Sequence, residues 1–375
     1  MEGMKGPPTG PEYLASEGES TKSEKTIPSA PSQPQPDTEA APGIDSSSRR
    51  EAEAGLGDSS QDALENEQTI LVGSDHDSVY SDADLDSLTA SLTSSIFAHT
   101  HENGRRYHAY RAGSYWGPND DTALDGLDLD HHVFLLAMNG ALHLAPIGDS
   151  PSAILDLGTG TGIWAIEMGD QYPSASVTGN DLSPTLPQYV PSNVQFEIDD
   201  FCDEWTYESE SFDFIHARQI LGCVDSYTSL YRKVLRCLRP GGWYEQVEID
   251  VTNTSEDGTH AGTALDTMGP YIVEAGERMG KPLRYLHKTK QTMIDAGFID
   301  VTEVTYKLPI GAWPKDEKQK HIGICNVASY NAGIEGWFMR PFTSHLGWTA
   351  EEVQVFCAHV RRDLKDRRIH AIEEM

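Results

Sequence analysis

Gly158, Gly160 and Gly162 stand at alternate positions between the apolar run Ala153-Ile154-Leu155-Asp156-Leu157 and the helix-like Ile163-Trp164-Ala165-Ile166-Glu167-Met168. Glycines so spaced let a backbone turn tightly and approach a ligand with no Cβ in the way. The pattern is neither the G-x-G-x-x-G of a dinucleotide fold nor the G-x-x-x-x-G-K of an ATP-binding loop. Asp156, just before the loop, would repel a pyrophosphate and attract a cation such as an amino-acid ammonium or a sulfonium. Asp181 is placed to accept hydrogen bonds from two ribose hydroxyls. Asp200 is placed to accept from an adenine amino group, with Phe201 against the ring. With Thr159 in the loop and Leu182 beside Asp181, these residues suit S-adenosylmethionine better than a nicotinamide dinucleotide or ATP.

The elements that must position them follow from the hydrophobic pattern. Ala153–Leu157, the glycine turn and the run after it read as strand, turn, helix. Further strands read at Ser176–Asp181, Val194–Ile198, Phe212–His216 and Trp243–Ile249, with a sixth at Asp300–Leu308. A helix is expected from Tyr227 to Leu238, and others over residues 123–143 and Glu351–Arg368. Strands alternating with helices at this spacing imply an α/β fold with a mostly parallel, doubly wound sheet. Such sheets bind ligands beyond the carboxyl ends of their strands, where strand order reverses. His216 ends the fourth strand. It is a candidate general base for an acceptor that must lose a proton; the other reading is a packing role. Glu245 and Gln246 on the fifth strand point to opposite faces and cannot line one wall together.

The chain has 375 residues, with 59 Asp and Glu against 28 Lys and Arg, a net charge of −31. That excludes a protein whose own surface grips a phosphate backbone. Residues 1–90 hold 19 acids and 5 bases and are rich in Pro and Ser, so they read as a disordered acidic tail that cannot bury enough apolar surface to fold. Cys202, Cys223, Cys237, Cys325 and Cys357 are odd in number, and no pair has C-x-x-C spacing. No disulfide framework and no metal site is expected from that spacing. With no secretory leader and no apolar run long enough to span a bilayer, the chain reads as intracellular, cytoplasm and nucleus both open.

Several blocks then carry a family resemblance. Ile154–Trp164 (ILDLGTGTGIW), Asp181-Leu182-Ser183-Pro184, Phe196–Asp200, Phe212–Arg218 and Leu238–Glu245 resemble the class I methyltransferase series. Glu102–Arg111 (ENGRRYHAYR), His143–Pro146 (HLAP), Trp243–Asp250 (WYEQVEID) and Ile369-His370-Ala371 are similar to the fungal LaeA-like methyltransferases, which include regulators of secondary metabolism and cluster-associated enzymes. The resemblance implies a Rossmann-like class I fold, S-adenosylmethionine as cofactor, and a protein or small-molecule methyl acceptor. A dedicated natural-product O- or N-methyltransferase and a non-catalytic regulatory scaffold with protein partners are the alternatives. The implied organisation is a tail over 1–90, a lid and helical segment over 91–145, and a methyltransferase domain with a C-terminal helical cap over 146–375. In the lid, Tyr107 and Tyr115 would face the donor's sulfonium; the other reading is that this stretch packs the N-terminal helix onto the sheet. The chain departs from the family where it stops at Ile372-Glu373-Glu374-Met375, so a seventh strand is expected to be lacking and the sixth to pair directly with the fifth or stay unpaired. Deleting residues 1–90 is expected to leave the melting temperature and donor affinity nearly unchanged; a thermal melt of the truncated protein checks this.

Overall fold

In the computed structural model the chain is described over residues 98–187 and 189–375; the tail assigned to residues 1–90 lies outside them. Five parallel strands form the central sheet in the order β5-β4-β3-β6-β7, with β3 Ala153–Leu157, β4 Ser176–Asp181, β5 Val194–Ile198, β6 Phe212–Arg218 and β7 Leu238–Val247. β3, β4 and β5 have the bounds the sequence suggested. β6 runs two residues further. β7 starts earlier, because Leu238 pairs with Phe212 and the register shifts before Trp243 meets Phe214, so Arg239-Pro240-Gly241-Gly242 lies inside an irregular strand rather than before it. The chain winds outward from β3 to β5 and returns to the other side of β3 for β6. The order therefore reverses between β3 and β6, which opens a crevice at their carboxyl ends.

Both faces of the sheet are covered. Leu155, Leu157, Ile215 and Ala217 are buried on one face with Tyr231 and Val234 of α3 (Tyr227–Cys237). Ile154, Val177 and Phe214 are buried on the other with Trp164 and Met168 of α2 (Ile163–Gln171). Central β3, covered on both sides, is a nearly continuous apolar run (AILDL), whereas the edge strand β5 alternates apolar and polar residues (VQFEI).

Ahead of the sheet, β1 (His99–Glu102) and β2 (Arg105–His108) form an antiparallel hairpin. Asn103 and Gly104 make its turn with φ of 49° and 79°, the pairing that a two-residue turn of this hand requires. Asn-Gly is the sequence signature of such a turn. Asp120 joins the hairpin to α1 (Asp121–Ala137): its carboxylate accepts from Arg105 Nε at 2.7 Å and Nη2 at 2.8 Å, and from the backbone N–H of Ala123 at 3.1 Å as the helix cap. α1 ends earlier than the apolar spacing suggested, at left-handed Asn139 and Gly140. α4 (Ala264–Met279) and α5 (Leu286–Ala296) follow the sheet, then α6 (Glu317–Pro341), which packs along α1, and α7 (Ala350–Asp363). Arg340 of α6 lies over the Tyr107 ring at 3.4 Å and donates to Glu102 at 3.0 Å, closing the C-terminal helices onto the hairpin.

The sixth strand differs from expectation. Only Lys307–Pro309 (β8) is strand, and its partner is the C-terminal Ile372–Glu374 (β9), antiparallel. The other edge of β9 exchanges two 2.8 Å backbone bonds with Thr254 and accepts one from Asp250. The last residues thus lie between the segment after β7 and β8, so the sixth strand pairs with them and not directly with the fifth. Glu373 points inward, accepting from Asn326 Nδ2 at 2.7 Å and the Tyr330 hydroxyl at 2.8 Å. Burial pushes its carboxyl up to about 7, and likewise that of Glu248.

Deleting Ile372–Met375 is expected to leave backbone groups on both neighbours without partners and to remove the carboxylate shared by Asn326 and Tyr330, which keep only their bonds to the Pro309 carbonyl and Asn253 Oδ1. At about 1–3 kcal/mol for each buried group, the loss would reach the whole margin of a typical domain; a denaturant titration measures it. The raised carboxyls also set a pH dependence. Unfolded, both glutamates release protons in the ordinary carboxylate range, near 4.3; folded, they hold them to about 7. The folded state is the more protonated one, so stability falls as pH climbs between those values. Melting temperatures at pH 5 and pH 8 are expected to show the drop, and Glu373→Gln to reduce it to the part that Glu248 contributes.

Candidate functional site

A cleft with an empty volume of about 1010 Å³ opens at the carboxyl ends of β3, β4 and β6. Its wall includes ten of the residues proposed from sequence: Asp156, Gly158, Thr159, Gly160, Asp181, Leu182, Asp200, Phe201, Tyr115 and His216. The loop after β3 is held against β4. Thr159 N–H donates to the Asn180 carbonyl at 2.9 Å, and Gly160 N–H to Asp181 Oδ2 at 2.9 Å. Asp181 also accepts from Ser183 N–H at 2.8 Å. Burial still pushes its carboxyl up to about 6.

Two of the sequence candidates stand elsewhere. The buried Tyr107 ring lies under Arg340 rather than in the cleft wall, because the hairpin turns it toward α6. Gly162 is also absent from the wall. It caps α2 at φ 80°, and a Cβ there would come within 2.5 Å of the Phe196 ring, so the position is glycine for packing and backbone conformation.

On the floor, Asp156 and His216 face each other across the β3–β6 pair. His216 Nδ1 donates to Asp156 Oδ1 at 2.7 Å, and the Thr159 hydroxyl donates to Oδ2 at 2.6 Å. The imidazole stacks on Trp164, ring centroids 3.7 Å apart and planes 8° from parallel. With Nδ1 donating to the carboxylate, Nε2 is the ring nitrogen left to meet another partner. Nε2 is buried and has no partner among the described residues.

Two residues on along β6, on the same face, Arg218 also lines the cleft. It forms no ion pair among the described residues. Its guanidinium donates to His131 Nδ1 at 3.1 Å and lies over the Phe134 ring at 5.0 Å, and burial lowers its pKa. The other nitrogen of His131 meets Glu167 at 3.1 Å. The adjacent Gln219 donates to Asp130 at 3.0 Å, and Asp130 in turn accepts from Ser329 of α6. Consecutive residues of α1 thus steady consecutive residues at the end of β6. The i, i+2 spacing of His216 and Arg218 was readable in the sequence; their helix partners were not.

The segment after the hairpin roofs the cleft. Ser114, Tyr115, Pro118 and Asn119 line it, and the segment is tied down by Trp116 Nε1 donating to the Leu221 carbonyl at 3.2 Å and Lys281 to the Ser114 carbonyl at 2.7 Å. At this end lies Cys223, whose thiol is pushed far up by burial, as is the Tyr115 hydroxyl. Arg111 pairs with Asp203 and lies 3.7 Å from Asp200. The fifth-strand polar side chains are engaged away from the cleft: Glu245 accepts the Leu144 and Ala145 N–H groups at 2.8 and 2.7 Å, and Gln246 bonds Tyr231, Tyr244 and Glu248. Trp348 is packed among Tyr271, Phe342 and Phe356.

Comparison with known proteins finds methyltransferase relatives. A family described as "Methyltransferase domain" matches residues 129–303. "Methyltransferase pytC" of Aspergillus terreus is 40% identical over 291 residues, covering 77% of this chain and 90% of the relative. "Secondary metabolism regulator LAE1" of Cochliobolus heterostrophus is 38% identical over 277 residues, covering 72% and 90%. "Protein-methionine methyltransferase laeA" of Emericella nidulans is 35% identical over 273 residues, covering 72% and 73%.

Gly162→Ala is expected to lower the melting temperature by several degrees with no ligand present, because the methyl group meets Phe196 in a conformation that L side chains rarely adopt. Differential scanning calorimetry of the unliganded variant checks it; an unchanged melting temperature would return Gly162 to a purely ligand-facing role.

Proposed function

The chain belongs to the LaeA-like S-adenosylmethionine-dependent methyltransferases of fungal secondary metabolism and its regulation, and from that premise we propose how its cleft holds the donor and which acceptor it serves. The residues present fit this cofactor. Gly158 and Gly160 keep the loop free of side chains where a nucleoside end would pass, and Asp181 offers a carboxylate to a ribose diol. Asp200 and Phe201 lie where an adenine would be read. On the floor, the Nε2 lone pair of His216, backed by Asp156, matches an α-ammonium, and the Arg218 guanidinium matches an α-carboxylate. Together they form a zwitterion clamp on one strand, and this clamp carries the reading. His216 is then a donor-positioning residue, since it shares Asp156 with the glycine loop. Bound in this cleft, S-adenosylmethionine supplies an electrophilic methyl group on a sulfonium.

The acceptor would enter under the roof, past Tyr115 and Cys223. Neither is a base at neutral pH, because burial keeps both protonated. That favours an acceptor with no proton to lose, a thioether such as a methionine side chain, for which positioning supplies the rate. The printed name of the Emericella nidulans relative points the same way. A second reading, favoured by the unpartnered Nε2, makes His216 the general base for a hydroxyl or amine acceptor. Among the described residues no helix is long and apolar enough to cross a membrane.

Asp181→Ala is expected to weaken donor binding by about 1.5–3 kcal/mol, the range for hydrogen bonds to a charged acceptor, and NADH is expected not to bind; calorimetry reads both. Since the Asp181 carboxyl titrates near 6, its protonation removes an acceptor, so donor affinity is expected to fall as pH drops through 6. His216→Asn separates the two readings. Weakened donor binding supports the clamp, whereas intact binding with transfer abolished supports the base. Incubation with methyl-labelled donor, alone and with a fungal extract, locates the acceptor: label on protein methionine supports the thioether, and label confined to a small-molecule hydroxyl or amine overturns it.

A further inference from the structure

Away from the cleft, α1 and α6 bring together three side chains that the methyl-transfer reading does not use. His132 projects from α1. His321 and Cys325 project from α6 one turn apart, on one face of that helix. A ligating atom from each lies within 4.8 Å of the other two, and the two imidazoles meet edge to face at 6.1 Å between centroids. Tetrahedral zinc with bonds of about 2.0–2.3 Å sets its ligand atoms about 3.3–3.7 Å apart, a spacing that small side-chain rotations reach from here. Cys325 is anchored at the edge of an apolar cluster containing Val133, Ala137, Leu308 and Ile322, while both histidines are exposed. Lys318, one turn before His321, does not compete for the position, because its amine is held at the end of α1 by Asn139 at 2.6 Å and the Ala137 carbonyl at 3.5 Å.

We propose that His132, His321 and Cys325 form a three-ligand site for a borderline-soft divalent metal, zinc foremost, that clamps α1 to α6 and leaves the fourth position to water or an outside ligand. Imidazole and thiolate suit zinc and its neighbours; calcium and magnesium prefer oxygen ligands. Burial raises the Cys325 thiol pKa in the free protein, so the metal would displace a proton on binding. The clamp has a route to the cleft, since His131, next in the chain to His132, steadies Arg218. The ligands come from positions 132, 321 and 325, so the cysteine spacing that signals zinc in a sequence is missing.

The test uses untagged full-length protein stripped with a chelator and titrated with Co²⁺, then Zn²⁺. Expected are one Co²⁺ per chain, tetrahedral visible bands with a near-ultraviolet thiolate charge-transfer band, and displacement by Zn²⁺. Cys325→Ser is expected to abolish the charge-transfer band, and His132→Ala and His321→Ala each to weaken binding at least tenfold. Zn²⁺ is expected to raise the melting temperature of the parent protein by several degrees and of the variants by less. Should Cys325→Ser fold poorly, the exposed His132→Ala decides. Absence of saturable one-to-one binding, a charge-transfer band surviving in Cys325→Ser, or undiminished affinity in both histidine variants would overturn the proposal.

Discussion

The contact between Asp156 and His216 spans the point on which the molecule turns. It joins β3 to β6, the two strands between which the order of the sheet reverses. Only there do the neighbouring loops diverge, and only there does a parallel sheet open a crevice. A buried carboxylate needs partners to remain charged. Asp156 finds them in an imidazole from the neighbouring strand and a hydroxyl from its own loop, and it fixes both. Trp164, the second residue of the helix after that loop, completes the arrangement by stacking on the imidazole. The floor of the cleft is thus assembled from one continuous stretch of chain and the strand beside it.

That continuity explains what could be read in advance. Strand, glycine turn and helix follow one another along the chain, so the loop, Asp156, Asp181 and Asp200 showed themselves by type and spacing. The parallel strands are legible by different signals: β3 is a nearly continuous apolar run, whereas β5 alternates apolar and polar residues. What escaped depends on long-range partners. Tyr107 reads as a lid aromatic until Arg340, 233 positions later, is seen to cover it. Gly162 reads as a ligand-facing glycine until the ring of Phe196 is found where its Cβ would stand. The sixth strand was overextended because Asp300–Leu308 has strand-like composition, whereas backbone pairing is available to it only as far as β9 reaches.

Helix α1 is the second organising element. Asp120 caps its start and binds the hairpin, Asp130 and His131 steady Gln219 and Arg218 at the end of β6, and the helix lies along α6. Movement of the hairpin or of α6 would be felt by the same side chains that present Arg218 to the cleft, with no contact needed between the moving part and the ligand. The acidity of the chain has a related effect: a pocket that must accept a cationic sulfonium sits in a molecule whose net charge of −31 draws cations toward it.

The placement of β9 has a kinetic consequence. Thr254 meets Ile372 across 118 positions of chain, and Glu102 meets Arg340 across 238. Contacts that close such long loops form late, because the entropy of bringing distant segments together is lost before any contact is gained. Until Ile372–Glu374 arrive, Asp250–Thr254 and Lys307–Pro309 both present open edges, the kind of surface onto which another chain can add a strand. Refolding is therefore a competition between a slow intramolecular closure and a concentration-dependent intermolecular one, and the yield of native protein should depend on how dilute the chain is when it folds.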